Sequence, residues 1–147
     1  MEWILVALGA LVIVGLSIYA GRLLFLLQTQ NKRQQAARQK RIDSITSSIQ
    51  TIAFAMQQQQ CDLSEGVIRI CRLLEALPLD PLPNYADEYP AVHGLFGKVK
   101  HYPTHEERNS LPKAERRAQD KEREQFESEA ESAILKETEA LKVFNAP

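Results

Sequence analysis

Residues 100–108, "KHYPTHEER", hold the densest set of reactive side chains in this 147-residue chain. An imidazole next to a carboxylate can move a proton as a general base, and an arginine beside them can hold an anion. His101, His105, Glu107 and Arg108 are therefore the catalytic candidates. The same residues also read as a helix start. Thr104 and Glu107, three apart, match a capping box, in which the two side chains satisfy backbone N–H groups that have no intrahelical partner. Tyr102 would extend the apolar face of the preceding helix. The capping reading is the stronger one.

A zinc site could be drawn from Cys61, Cys71, His101 and His105, since His-x3-His is a permitted ligand spacing. Nine residues separate the cysteines where two to four are usual, and Pro103 lies between the histidines. Cys71 follows Ile70 on an apolar helix face, where a thiol behaves as a small hydrophobe. No metal and no cofactor is expected. The chain has no Gly-x-Ser-x-Gly, no phosphate-binding glycine loop and no His-Glu-x-x-His.

The elements that must position these groups are all helical. Ile42, Ile45, Ile49, Ile52 and Met56 are spaced 3, 4, 3, 4, which makes either the core face of one helix in a bundle or a short coiled-coil seam. Two heptads are few for a coiled coil, and the bundle is favoured. After "QQQQ" at 57–60, Asp62 and Glu65 have capping-box spacing. Leu63, Val67, Ile70, Leu74 and Leu77 then form a stripe that Pro78 ends. Gly66 weakens the first turn of that helix unless a neighbour packs closely on it. "PLDPLPNYADEYP" predicts an irregular connection. Pro90 opens a third helix with Val92, Leu95, Phe96 and Val99 on one face, and Gly94 and Gly97 make it dependent on tertiary support. A second connection, 103–112, leads to a helix that runs without Gly or Pro from Lys113 to Phe144. It is nearly all charge at first, and later offers Phe126, Ala130, Ala133, Ile134, Leu141 and Phe144 for packing. The predicted class is all-α.

The N-terminus differs from the rest. Trp3 to Ala20 contains no charge, and at about 1.5 Å per residue its length approaches that of a bilayer's hydrocarbon core. Counting on to Leu27 gives about 37 Å, enough to cross with tilt. A cleaved signal peptide would need basic residues ahead of the apolar run, where this chain has Glu2. An uncleaved anchor is expected. Trp3 and Tyr19 suit the two interfaces, and Arg22, about 12 Å from the midplane, can reach headgroups with its stem in lipid. Residues 28–60 carry a net charge of +4 and 61–90 a net charge of −4, although the whole chain is at −1. Lys32, Arg33 and the basic residues after them place the C-terminal part in the cytoplasm and suit anionic lipid. A disulfide between Cys61 and Cys71 is disfavoured there. Without interleaved aromatics, the basic run gives no reason to invoke nucleic acid. The expected divisions are an anchor over 1–27, a juxtamembrane spacer helix over 28–60 and a cytoplasmic helical domain over 61–147.

"CDLSEGVIRICRLLEALP", "YPAVHGLFGKVKHYPTHEERNSL" and the charged helix behind one apolar span together resemble a family of small gammaproteobacterial proteins that carries only a domain-of-unknown-function label. The resemblance covers nearly the whole chain. It implies a bacterial inner-membrane setting, with the N-terminus outside, and supplies no activity and no catalytic residues. On this reading the chain is a membrane-tethered module that binds the bilayer and a protein partner at the inner membrane, as an accessory or assembly factor or an adaptor. Arg116, Arg117, Lys121 and Arg123 are the candidate contact residues. Self-association through the isoleucine seam is a further option, and Ser17 and Gly21 in the span form a small-xxx-small pair that could let another membrane helix approach. The alternative is a small membrane-anchored enzyme or ligand sensor built on His101 to Arg108.

Overall fold

The structure, a computed structural model, describes residues 2–103 and 105–147, and the side chains of all of these except 105–107. Every regular element among the described residues is a helix, and the fold is all-α. The chain divides into two compact units, residues 1–40 and 41–147. Helix α1 (Glu2–Gln57) supplies the whole regular structure of the first unit and the opening helix of the second.

In the first unit every large apolar side chain from Trp3 to Leu27 is exposed. The hydroxyls of Ser17 and Thr29 donate to the carbonyls of Ile13 (2.8 Å) and Phe25 (2.9 Å), one turn back on their own helix. Neither needs a polar partner outside the helix.

In the second unit, α1 buries Ile42, Ile45, Thr46, Ile49, Ala53 and Met56. This is the isoleucine seam with one change, because Ala53 is buried where Ile52 is only half-buried. The seam is part of this unit's own hydrophobic core, in keeping with a bundle. α1 ends in a Schellman turn. The Gln60 N–H donates to the Ala55 carbonyl and the Gln59 N–H to that of Met56, with Gln59 left-handed at φ 55°.

α2 (Leu63–Glu75) buries Val67, Ile70, Cys71 and Leu74, which follow its predicted stripe. The predicted capping box at its start does not form. Asp62 makes no side-chain capping bond, and Glu65 pairs instead with Arg69 one turn on. The cap comes from elsewhere in the chain: the Ser64 backbone N–H (3.2 Å) and its hydroxyl both donate to Glu127 Oε1. At Gly66 the expected close neighbour is Met56, whose Cγ lies 2.5 Å from where a Cβ would stand.

The proline-rich connection contains one helical turn that the sequence did not suggest, α3 (Tyr85–Glu88). α4 (Pro90–Val99) buries the four residues expected of it. Its N-terminal donors are all matched. Pro90 has no N–H, those of Ala91 and Val92 donate to the two carboxylate oxygens of Glu137 at 2.9 Å each, and that of His93 goes to the Tyr89 carbonyl. A Cβ at Gly94 or Gly97 would meet nothing within 4 Å, so packing on neighbouring helices supports α4, and no backbone approach demands these glycines.

α5 (His105–Ser110) precedes α6 (Lys113–Leu141). α6 buries Ile134, Thr138 and Leu141, half-buries Phe126 and Ala130, and leaves Ala133 exposed. Gln50 and Gln57 of α1 donate to the carbonyls of Phe144 (2.7 Å) and Leu135 (3.3 Å), which fixes the end of the chain against the first core helix.

Candidate functional site

A groove of about 900 Å³ opens in the second unit between α2, the end of α4, segment 100–103 and α6. Ile68, Phe96 and Val99 give it apolar wall, and five cationic side chains line it against three carboxylates. Phe96 organises two of the cations. The Arg72 guanidinium lies 5.4 Å from the ring centroid and Lys100 Nζ lies 5.6 Å from it, within cation–π range.

Two of the catalytic candidates, His101 and Arg108, reach this groove. Arg108 is already engaged, with Nη2 donating to Asp120 Oδ1 at 2.8 Å and to Oδ2 at 2.9 Å. The Tyr102 hydroxyl donates to Glu122 Oε2 at 2.8 Å. The reactive-looking segment is therefore tied at two points to α6. His101 is exposed, and among the described residues it has no carboxylate partner to orient it as a base. The side chains of His105 and Glu107, and with them the Thr104–Glu107 capping pair, lie outside the described residues.

Both cysteines are free. Cys61 is half-buried, and its thiol donates to the Asp62 carbonyl at 3.4 Å. Cys71 is fully buried, and its thiol is pushed up to about 12, first by burial and then by the charge of Glu75. A thiol that stays protonated is a poor nucleophile and a poor metal ligand. Among the described residues no three His, Cys, Asp or Glu side chains converge on a point where a metal could sit.

The four candidate contact residues on α6 do not share one environment. Arg117 and Lys121 are exposed. Arg116 is half-buried, and Arg123 sits 3.8 Å from both Asp120 and Glu127. The candidate interface residues Trp3, Tyr19, Arg22, Lys32 and Arg33 are all exposed on α1. The reading of the sequence missed the carboxylates that α6 lends to other elements: Glu127 to α2, Glu137 to α4, and Asp120 and Glu122 to segment 100–108. In a run so rich in charge, nothing distinguishes a glutamate that caps a neighbour from one that faces water.

The family model described as "Protein of unknown function (DUF2489)" matches residues 13–141. The chain belongs to this family. The DUF2489 match begins inside the apolar stretch and ends at the last residue of α6, so it takes in every residue of the groove. A Haemophilus influenzae protein, described as uncharacterized, is 37% identical over 137 residues, covering 93% of this chain and 90% of the relative. No solved structure matches the chain.

Proposed function

We propose that this DUF2489 protein is a membrane-tethered helical module that acts by protein contact, as an accessory or assembly factor or an adaptor at the bacterial inner membrane. One observation carries the tethering: α1 is long and apolar enough to cross a membrane, and no part of its apolar stretch is buried in the protein. Keeping a large apolar side chain in water instead of an apolar medium costs roughly 1.5–3 kcal/mol, which over Trp3 to Leu27 is on the order of tens of kcal/mol. Lipid removes that cost. Basic residues gather on the C-terminal side of the stretch and Glu2 stands on the other, which supports a cytoplasmic location for residues 28–147. The contact role is supported by the form of the second unit. It is a small bundle whose reactive-looking segment is held in structural bonds, and α6 presents Arg117 and Lys121 to solvent.

Two measurements test this. Membranes from expressing cells are extracted at alkaline pH, and reporters are fused after Pro147: alkaline phosphatase, active only outside, and green fluorescent protein, fluorescent inside. Retention in the pellet with a fluorescent, phosphatase-negative fusion is expected. Release into the supernatant would overturn the tether, and an active phosphatase fusion the orientation. The contact role is tested by cross-linking the tagged full-length protein in cells. One membrane protein recovered in near-equal amount is expected, and recovery of this chain alone would reject the role.

A further inference from the structure

The groove differs in charge from the molecule around it. Among the described residues its lining carries two more cations than carboxylates, in a chain whose net charge is −1. Two of its three carboxylates are already committed, Glu65 to Arg69 and Asp120 to Arg108. Arg72 finds its carboxylate outside the groove, in Glu75 at 3.3 Å, and both side chains are largely exposed. An exposed pair of this kind is worth little and is readily exchanged for another anion. Lys100 is exposed, and among the described residues it has no carboxylate within ion-pair distance. Phe96 thus holds two positive groups at one wall of the concavity, and among the described residues of its lining Asp62 is the one carboxylate outside an ion pair. Beside them half-buried Ile68 supplies apolar wall.

We propose that this groove is where the protein takes its partner, and that the occupant is an acidic segment of that partner protein with its carboxylates on Lys100 and Arg72 and an apolar side chain against half-buried Ile68. The proposal rests on the protein-contact reading above and gives it a location and a chemistry. Charge complementarity is its basis. An acidic segment would place negative charge where this surface has an excess of positive charge, which speeds encounter and rejects basic partners. The concavity is open to solvent, which suits a segment of a partner chain more than an enclosed small molecule.

The test uses the full-length protein in its membrane. A photo-crosslinking residue is placed at His101, exposed in the groove, and in a second strain at Lys121, exposed on α6 outside it. Adducts are digested and the partner peptide is sequenced. An adduct from position 101 whose partner peptide is rich in Asp and Glu is expected. Adding Lys100→Glu should reduce it by about tenfold through like-charge repulsion, while Lys100→Arg should leave it intact. Circular dichroism checks that each variant is folded. A neutral or basic partner peptide, a lipid adduct, or a yield indifferent to Lys100→Glu would overturn the proposal. Adducts from 121 alone would overturn the groove and leave the protein-contact function standing. Absence of protein adducts from both positions, together with failure of the in-cell cross-linking, would reject both.

Discussion

Replacing Glu137 with alanine should loosen the second unit as severely as a core truncation, although the side chain lies on the highly charged helix. The magnitude follows from the donors at the start of α4. That helix has no capping side chain of its own, because Tyr89 stands at its N-cap. Glu137 accepts from both Ala91 and Val92 at 2.9 Å. Losing an N-cap costs about 0.5–2 kcal/mol, and a hydrogen bond to a charged group about 1.5–3 kcal/mol. The site is only partly buried, so water can replace some of what is lost, and about 2–3 kcal/mol in all is expected for the pair. Glu137→Gln retains one oxygen and turns an NH2 toward the second donor, so it should recover less than half of the loss. Urea unfolding of the full chain in zwitterionic detergent, followed by near-ultraviolet circular dichroism of the buried Tyr85 and Tyr89, reads the second unit selectively. Glu131→Ala, at an exposed position on the same helix, is the control and should change nothing. If Glu137→Ala matches Glu131→Ala, then α6 does not cap α4, and its carboxylates do not organise the bundle.

Gln59→Gly should stabilise the protein by about 1 kcal/mol, since a left-handed residue with a Cβ is strained and glycine is the usual occupant of that Schellman position; an unchanged urea midpoint would refute the assignment. Gly66→Ala sets a helix-propensity gain of about 1 kcal/mol against overpacking of about 1–3 kcal/mol on Met56. A net loss is expected, and a rise in stability would mean that Met56 can move aside. Cys71 should resist alkylation at pH 8 until the protein unfolds, while half-buried Cys61 reacts first. Its folded value of about 12 lies above the ordinary 9.0, so the folded state holds the proton more tightly. Its contribution is then complete below pH 9 and is lost as pH rises toward 12. Tyr85 and Tyr89, also raised chiefly by burial, slope both proteins above pH 10, so the parent chain should lose more stability across that window than Cys71→Ala, and identical slopes would reject Cys71 as a source.

The helices were legible wherever a single periodic signal governed them. The apolar face of α4 is buried as its spacing requires, as are the seam from Ile42 to Met56 apart from half-buried Ile52 and the stripe of α2 apart from half-buried Leu63. The partial failures have one physical form, a local rule overridden by a distant partner. Asp62 and Glu65 have the spacing of a capping box, yet the donor at Ser64 goes to Glu127, 63 residues away. Periodicity reports which face is buried and is silent about which element satisfies the polar ends of that face. α3 was missed for a related reason. A single turn after three prolines has too few residues for periodicity to register, and it holds because Tyr85 packs on Tyr89 and Phe144.

The candidate site was legible as a location and less so as a chemistry. "KHYPTHEER" does border a groove of the second unit, but its tyrosine and arginine are spent on α6, through Glu122 and Asp120. Glu127 and Glu137 lie ten residues apart, about 15 Å along that same helix, and each holds the N-terminus of a different helix. Four carboxylates on one helix thus fix α2, α4 and segment 100–108, the elements that shape the groove. The charge of α6 is an organising device on its inner side and a solvated surface on its outer side. These acids are bonded in this protein, and among the described residues Lys100 is the groove cation with no carboxylate within ion-pair distance. On the proposed reading, Lys100 and Arg72 beside Phe96 are the groups that an acidic partner segment would meet.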